Sequence, residues 1–503
     1  MIRLTFFILL LLTMNILSQE TEKTITVIGR ELKGSFENNE SIREVIGDVV
    51  LTQGNVVITC DTAIQYISRN SAHLIGNVIV TQDTLTIYTS EGFYFGNERR
   101  AFSDKGVKLD DKKVILTARI GEYLFNENKA DFNEDVKLYD TLSTLTSDRL
   151  IYFRAVDEVI ATGKVRIVDA ENTINADSLE HYRKTQITFG FGNVIIKSLT
   201  NNTSIYGDHI EDYRDKNYSI VDENPLLIQI DSTYSKNEQM EIDSSSYADS
   251  TSLFFNEEKD SLFQDSTLII DTLIIKAGVL ESYRDTSNFF IAKDSVKIVR
   301  GSFASRNDYT IYFRDEEKII TYKISDESKP PVLWYENSQL TGDSLTIYLL
   351  DKKIERVDVN KNATIGSKNE IYQNRWDQVS GMDVTLYFGE DGLEKTDVFE
   401  NVLSIYFMYE EDEPNGLIKA SSKDAVIEFE EKKVANVRLY GNPNSEYYPE
   451  NLITGKEREF ILPKFVIYYD RPDKEDILFR YFNVSESNTN TDFEKESDKK
   501  NGE

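Results

Sequence analysis

The chain has 503 residues, 40% of them hydrophobic, with 57 Lys and Arg against 87 Asp and Glu and a formal net charge of −30. That length allows two domains with sizeable cores. The acidity excludes a nucleic-acid-binding role, because phosphate backbones are held by clustered Lys and Arg, and its ordinary consequence is a solvated surface.

Residues 1–19 have the pattern of a secretory signal: Arg3, the apolar run 6–12, then Ser18-Gln19 before the charged Glu20-Thr21-Glu22-Lys23. The run is short for a membrane-spanning helix. Export with loss of these residues is expected, with an uncleaved anchor as the alternative.

From Gly47 to Lys197 the sequence repeats itself with a shift of 29 residues. Valine returns at Val49, Val78, Val107, Val136, Val165 and Val194. A second apolar column is Ile58, Ile87, Leu116, Leu145 and Ile174. Two residues later stands a small one, Cys60, Thr89, Ala118, Ser147 and Ala176, and beyond it a bulky one, Tyr66, Phe95, Leu124, Phe153 and Tyr182. A repeat of this length marks stacked supersecondary units.

Within each unit the apolar positions alternate. Val49 with Leu51, Val78 with Val80, Val107 with Leu109, Val136 with Leu138, Val165 with Ile167, and Val194 with Ile196 are each two apart, which places each pair on one face of a strand. Turn-formers separate the halves: Gln53-Gly54-Asn55, Asp83, Asp110-Asp111, Asp140 and Asp169–Asn172. Each unit therefore reads as short strands joined by tight turns, with an apolar face that only stacked neighbours can bury. All eight prolines lie at or after Pro225, as an uninterrupted ladder before that point requires.

After Val194 the register slips by two, so that Asp208–Tyr213 repeats Asp177–Tyr182 at a spacing of 31. Residues 231–275 are rich in Ser, Asp and Glu and are expected to form an acidic linker or loop. The pattern then returns in looser form over 276–484: LESYR at 280–284 echoes LEHYR at 179–183, and DYTIYFR at 308–314 echoes DRLIYFR at 148–154. The domains expected are thus a signal at 1–19, a first array at 20–230, the linker, a second degenerate array at 276–484 and a disordered tail at 485–503.

Reactive chemistry is sparse. Cys60 is the single cysteine and its column otherwise holds Thr, Ala and Ser, so it reads as a small buried residue. His73, His181 and His209 lack metal-ligand spacing. Asp61, Asp148, Asp177, Asp208 and Asp343 recur, but Ser90 and Arg119 occupy the same column, which favours strand-entry or turn roles over paired catalytic carboxylates or Ca²⁺ ligands.

With GNVIVTQ at 76–82 and INADSLEHY at 174–182 in hand, the chain resembles the OstA/LptA-like lipopolysaccharide-transport family, well over 45–230 and weakly over 276–470. The resemblance implies an all-β, repetitive β-jellyroll folded like a taco, whose interior holds the acyl chains of lipid A. Its partners would be lipopolysaccharide and membrane-bound transport components of the same fold, with end-to-end self-association possible. It also implies a periplasmic location, with association at the outer membrane as a variant, no cofactor and no metal. The lipid-binding columns would be Val49, Leu51, Ile58, Val78, Val80, Ile87, Val107, Leu109, Leu116, Val136, Leu138, Leu145, Val165, Ile167, Ile174, Val194 and Ile196. The alternatives are a structural β-repeat scaffold or adhesin with a dry core, and a β-helix polysaccharide-degrading enzyme. No charged column persists through the units to serve that enzyme.

Overall fold

Alternating apolar residues without proline leave the backbone one economical arrangement, long antiparallel strands. The computed structural model shows this over residues 24–482, apart from 38–39, 237–265 and the single residues 201, 287, 352, 391 and 432. The expected signal, most of the acidic stretch and the tail from 485 lie outside the described residues.

The chain divides into two compact units. The first holds residues 1–226, 277–294 and 310–319. Its repeats are hairpins of long strands: 40–66, 71–95, 100–124, 129–153, 158–182 and 187–213. The turn-formers named above make one end of each hairpin, and four-residue loops such as 67–70 and 183–186 make the other. The strands run longer than the alternation suggests. Glu40–Gln53 has 14 residues and Val56–Tyr66 has 11, each spanning both halves of the pattern. The register slip after Val194 has a local cause, since Val194 pairs with Gly207, 13 residues on, where Val165 pairs with Ala176, 11 residues on, so the turn between them is two residues longer.

Each long strand is bent in the middle. Two consecutive residues take positive φ at Gly47-Asp48, Gly76-Asn77, Glu134-Asp135, Gly163-Lys164 and Gly192-Asn193. At each of these pairs the ladder register shifts, as in a β-bulge that sharpens the bend of both strands. Asp61, Asp148, Asp177 and Asp208 sit opposite such bends in mid-strand, rather than at strand entries or turns, whereas Asp343 stands at the entry of strand Ser344–Leu350. Asn77 Nδ2 donates to Asp61 at 2.9 Å and Asn193 Nδ2 donates to Asp177 at 2.8 Å. Where Arg119 replaces Asp, Glu134 replaces Gly and the two form an ion pair. The column follows the bend and its partner together, so it needs complementarity rather than a charge of one sign.

Further along unit 1 a continuous run of rings, Tyr182, Phe189, Tyr213, Tyr218, Tyr283, Phe289 and Phe313, steps from strand to strand with centroids 4.5–6.4 Å apart. Such cross-strand pairs hold the register.

Unit 2 holds residues 227–276, 295–309 and 320–503. Strands Leu226–Lys236 and Ser266–Lys276 run into the two ends of the stretch expected as linker. The double bend persists at Lys361-Asn362, Glu400-Asn401 and Gly441-Asn442. The rungs that face it, Asp343, Met382 and Lys423, each donate a backbone N–H to the bend. They are spaced 39 and 41 residues apart, which is why the second array looks degenerate to a 29-residue ruler.

The chain then crosses its own sheet. Gln378 and Gln339, both buried, bond to the backbone of Phe460 and Leu462 and of Val466 and Tyr468 respectively. Phe465 packs on Gly366, where a Cβ would lie 2.3 Å from the ring. Gly366 and Ile365 are neighbours in one strand, so this segment covers the face opposite Ile365. A short helix follows over 474–482. Among the described residues no helix is long and apolar enough to cross a membrane.

Candidate functional site

The bend turns two flat strand halves into a V, and the apolar columns line its inside. Val49 pairs with Cys60, Val78 with Thr89, Val107 with Ala118, Val136 with Ser147 and Val165 with Ala176. A large residue therefore always opposes a small one next to the bend, where space is tightest. The other interior pairs are Leu51 with Ile58, Val80 with Ile87, Leu109 with Leu116, Leu138 with Leu145, Ile167 with Ile174, and Ile196 with Ile174 across the next ladder.

Of the expected column residues, fourteen are buried: Val49, Leu51, Ile58, Val78, Val80, Ile87, Val107, Leu109, Leu116, Val136, Leu138, Leu145, Val165 and Val194. Their exposure lies between 0% at Leu109 and 6% at Val107. Ile167, Ile174 and Ile196 are only half-buried. The interior is thus buried through the first four repeats apart from a cleft at repeat three, while in the fifth and sixth the positions two residues beyond Val165 and Val194 are half-exposed. Inside the buried part, a cavity of about 20 Å³ beside Leu74, Val80 and Phe132 is too small for an acyl chain. At repeat three the strand is interrupted between Ser103 and Val107, and an open cleft of about 560 Å³ lies against Val78, Thr89, Ser90, Gly106, Val107 and Ala118.

The mouth of the V is closed by a row of polar side chains. The tight-turn end carries Gln53, Gln82, Asp111, Asp140 and Asp169, and the loop end carries Tyr94, Tyr123, Tyr152 and His181, both spaced by 29 residues. Tyr94 OH donates to Gln53 at 2.5 Å, and Gln53 Nε2 donates to the Gly96 carbonyl at 2.9 Å. Two repeats on, Tyr152 OH donates to buried Asp111 at 2.7 Å, and Lys113 bonds Asp157 at 3.0 Å. Then the seam loosens. Arg183 stands 3.7 Å from Asp140, and Arg214 stands 3.8 Å from Asp169. Burial pushes the Tyr94 and Tyr123 hydroxyls up to about 12. Burial and then the bond to Asp111 push Tyr152 upward as well. Burial, then Arg183, lowers the pKa of His181. The seam is legible as a repeated column, but its residues look like surface polar groups until the bend brings the two strand ends together.

Residues 22–177 match the model of the OstA-like protein family. The matched stretch lies within the N-terminal array. Among solved structures the chain is similar to LptH, the LptA homologous periplasmic component of the conserved lipopolysaccharide transport device from Pseudomonas aeruginosa. The identity is 16%, the match covers 29% of this chain and 96% of that chain, and the TM-score is 0.16. No curated protein matches the chain.

In the OstA-like segment Cys60 is buried and 3.3 Å from the Thr62 carbonyl, and burial pushes its thiol up to about 11. A thiol so raised stays protonated and is a poor nucleophile. Cys60→Ala should therefore fold normally, at a cost of about 1–2 kcal/mol for the small cavity, as chemical denaturation would register. His73 stacks on Phe93 and contacts Glu91 at 2.8 Å, while His209 contacts Asp222 at 2.6 Å. The three histidines lie on different strands and are not brought together.

Proposed function

We propose that the protein is a periplasmic lipid-binding component of lipopolysaccharide transport, with acyl chains entering the V of unit 1. The observation that carries this reading is the change along the groove: one continuous apolar interior, buried at Val49–Leu145 but for the cleft at repeat three, opens at Ile167, Ile174 and Ile196 beneath a loosened seam. A purely structural core has no reason to leave the last interior residues open while the aligned columns continue. The match to the OstA-like family supports the same class of role. The small cavity in the first repeats favours a second reading, a dry scaffold, for that part of the array. On the carrier reading the seam parts when lipid enters.

Partners of like fold would meet the array at its N-terminal edge. Strands Thr26–Ile28 and Glu31–Glu37 have Glu40–Gln53 as their neighbour on one side, and Ile28, Leu32 and Phe36 stand exposed. Among the described residues nothing else pairs with the second of these strands, and an open edge with exposed apolar residues is a template for strand addition. It would take a neighbouring transport component or a second copy.

The decisive experiment places a photo-crosslinking residue at Ile196, at Val136 or at the outward-facing Lys137, and exposes the full chain to lipopolysaccharide. Adducts at Ile196 and Val136 with none at Lys137 are expected of a carrier. No adducts at either interior position in a folded protein would leave the scaffold as the better account.

A further inference from the structure

Arg154, Arg183, Arg214, Arg284 and Arg314 each follow the aromatic residue that ends a strand: Phe153, Tyr182, Tyr213, Tyr283 and Phe313. All five lie in unit 1. Each donates its backbone N–H to a carbonyl of the preceding loop, on Asn128, Asp157, Gln186, Asn217 and Asn288, at 2.8–3.1 Å. Every acceptor residue has a positive φ. The identical bonding fixes the five at one position of successive hairpins, roughly 10 Å apart at two strand spacings. In repeats two and three the same column holds Gly96 and Phe125, whose backbone N–H groups make the same bond to Asn70 and Arg99. The arginines begin as the buried stretch ends.

Their partners differ along the row, and Arg154 also stands 4.0 Å from Asp111. Arg154 bonds Thr84 at 2.7 Å, and Arg183 holds Asp157 at 2.9 Å and Asp140 at 3.7 Å. Arg214 stands 3.8 Å from Asp169, and Arg284 holds Asp212 at 2.7 Å and Ser219 at 2.5 Å. Arg314 contacts the neutral Ser282 and Asn288 at 3.2 and 3.4 Å. A chain of net charge −30 has thus gathered a line of guanidiniums along the loop ends of its hairpins, the last of which bonds only neutral side chains. Guanidinium is the side chain whose planar fork matches phosphate oxygens two at a time.

We propose that this arginine ladder is an anion track, which binds the phosphate groups of an amphiphile while its acyl chains lie in the groove beside Ile167, Ile174 and Ile196. Asp140, Asp169 and Asp212 hold the arginines in the empty protein, and the ligand's phosphates take their place. The ladder rests on the lipid reading above and adds the headgroup chemistry. It also resolves how so acidic a chain accepts an anionic lipid, since the attraction is local and the Debye length is about 8 Å at physiological salt.

The test uses the full chain and two probes with the same two acyl chains, one phosphorylated and one dephosphorylated, presented in neutral detergent. Wild type should prefer the phosphorylated lipid by about tenfold or more, with the preference falling as salt rises. The pair Arg214→Gln with Arg284→Gln should lose that preference and keep its affinity for the dephosphorylated lipid. Should that pair fail to fold, the single Arg314→Gln, whose side chain bonds neutral partners, carries the same comparison. Equal wild-type affinity for the two lipids, or an unchanged preference in the variant, overturns the ladder and leaves the lipid reading standing. Binding of neither lipid by wild type overturns both.

Discussion

Gly163→Val should cost about 2–4 kcal/mol and make repeats four and five the first part of unit 1 to open. Gly163 has φ +76°, a conformation that costs a β-branched residue about 1–3 kcal/mol. A Cβ there would lie 2.6 Å from Asp148 Oδ2 and 2.9 Å from Asp148 Cβ. The carboxylate could swing aside, but the Cβ is fixed to the opposing strand, so the bend itself must widen. In a stacked array each repeat leans only on its neighbours. Faster amide exchange should therefore appear at 129–182 and leave 40–66 protected. The double variant Gly163→Val with Asp148→Gly should recover part of the loss, because it removes one side of the clash. Lys164→Gly, at the next positive-φ position, should change stability little. An unaltered exchange pattern in Gly163→Val would show that the bend is not what sets the fold.

The second large effect is expected at the seam. Asp111 accepts from Tyr152 OH at 2.7 Å, from the backbone N–H of Lys113 at 2.9 Å and from that of Val114 at 2.8 Å, with Arg154 4.0 Å away. Asp111→Ala leaves the two backbone donors without their acceptor and Tyr152 OH with only Asp157 at 3.2 Å, and should cost about 3–5 kcal/mol. Asp111→Asn keeps an acceptor oxygen and should cost less than half of that. Tyr152→Phe, which removes a single donor, should cost about 1–3 kcal/mol. The seam's role predicts more than instability. In Asp111→Ala the mouth should open, and a solvent-borne thiol reagent should reach a cysteine placed at Leu116 far faster than in wild type. Equal labelling rates would mean that the packing of the columns closes the groove and the polar row merely decorates it.

Much of this was open to reading from the residues. The 29-residue period and its alternation place Val49, Leu51 and their successors on one inner face, because side chains on a strand alternate and identical repeats must stack in register. The turns at Gly54, Asp83 and Asp140 follow from residue types that tolerate tight backbone. The likeness of residues 22–177 to the OstA-like family was legible in the same columns. The bend was not, since nothing in Glu134-Asp135 or Lys361-Asn362 announces two successive left-handed residues. Only the opposing strand, with its shifted register, makes that conformation pay the smaller penalty.

The seam and the arginine ladder lie one step further from the sequence. Gln53 and Tyr94 are 41 residues apart, and Arg214 and Asp169 are 45 apart, yet each pair meets because a V-shaped strand brings its two ends together. The sequence by itself determined strands, turns, stacking and the composition of the inner face, all of which depend on neighbours along the chain or one repeat away. Tertiary structure alone decided where the groove closes and where it opens. Closure depends on the angle of the bend, and that angle is set by packing between strand halves that no local pattern records.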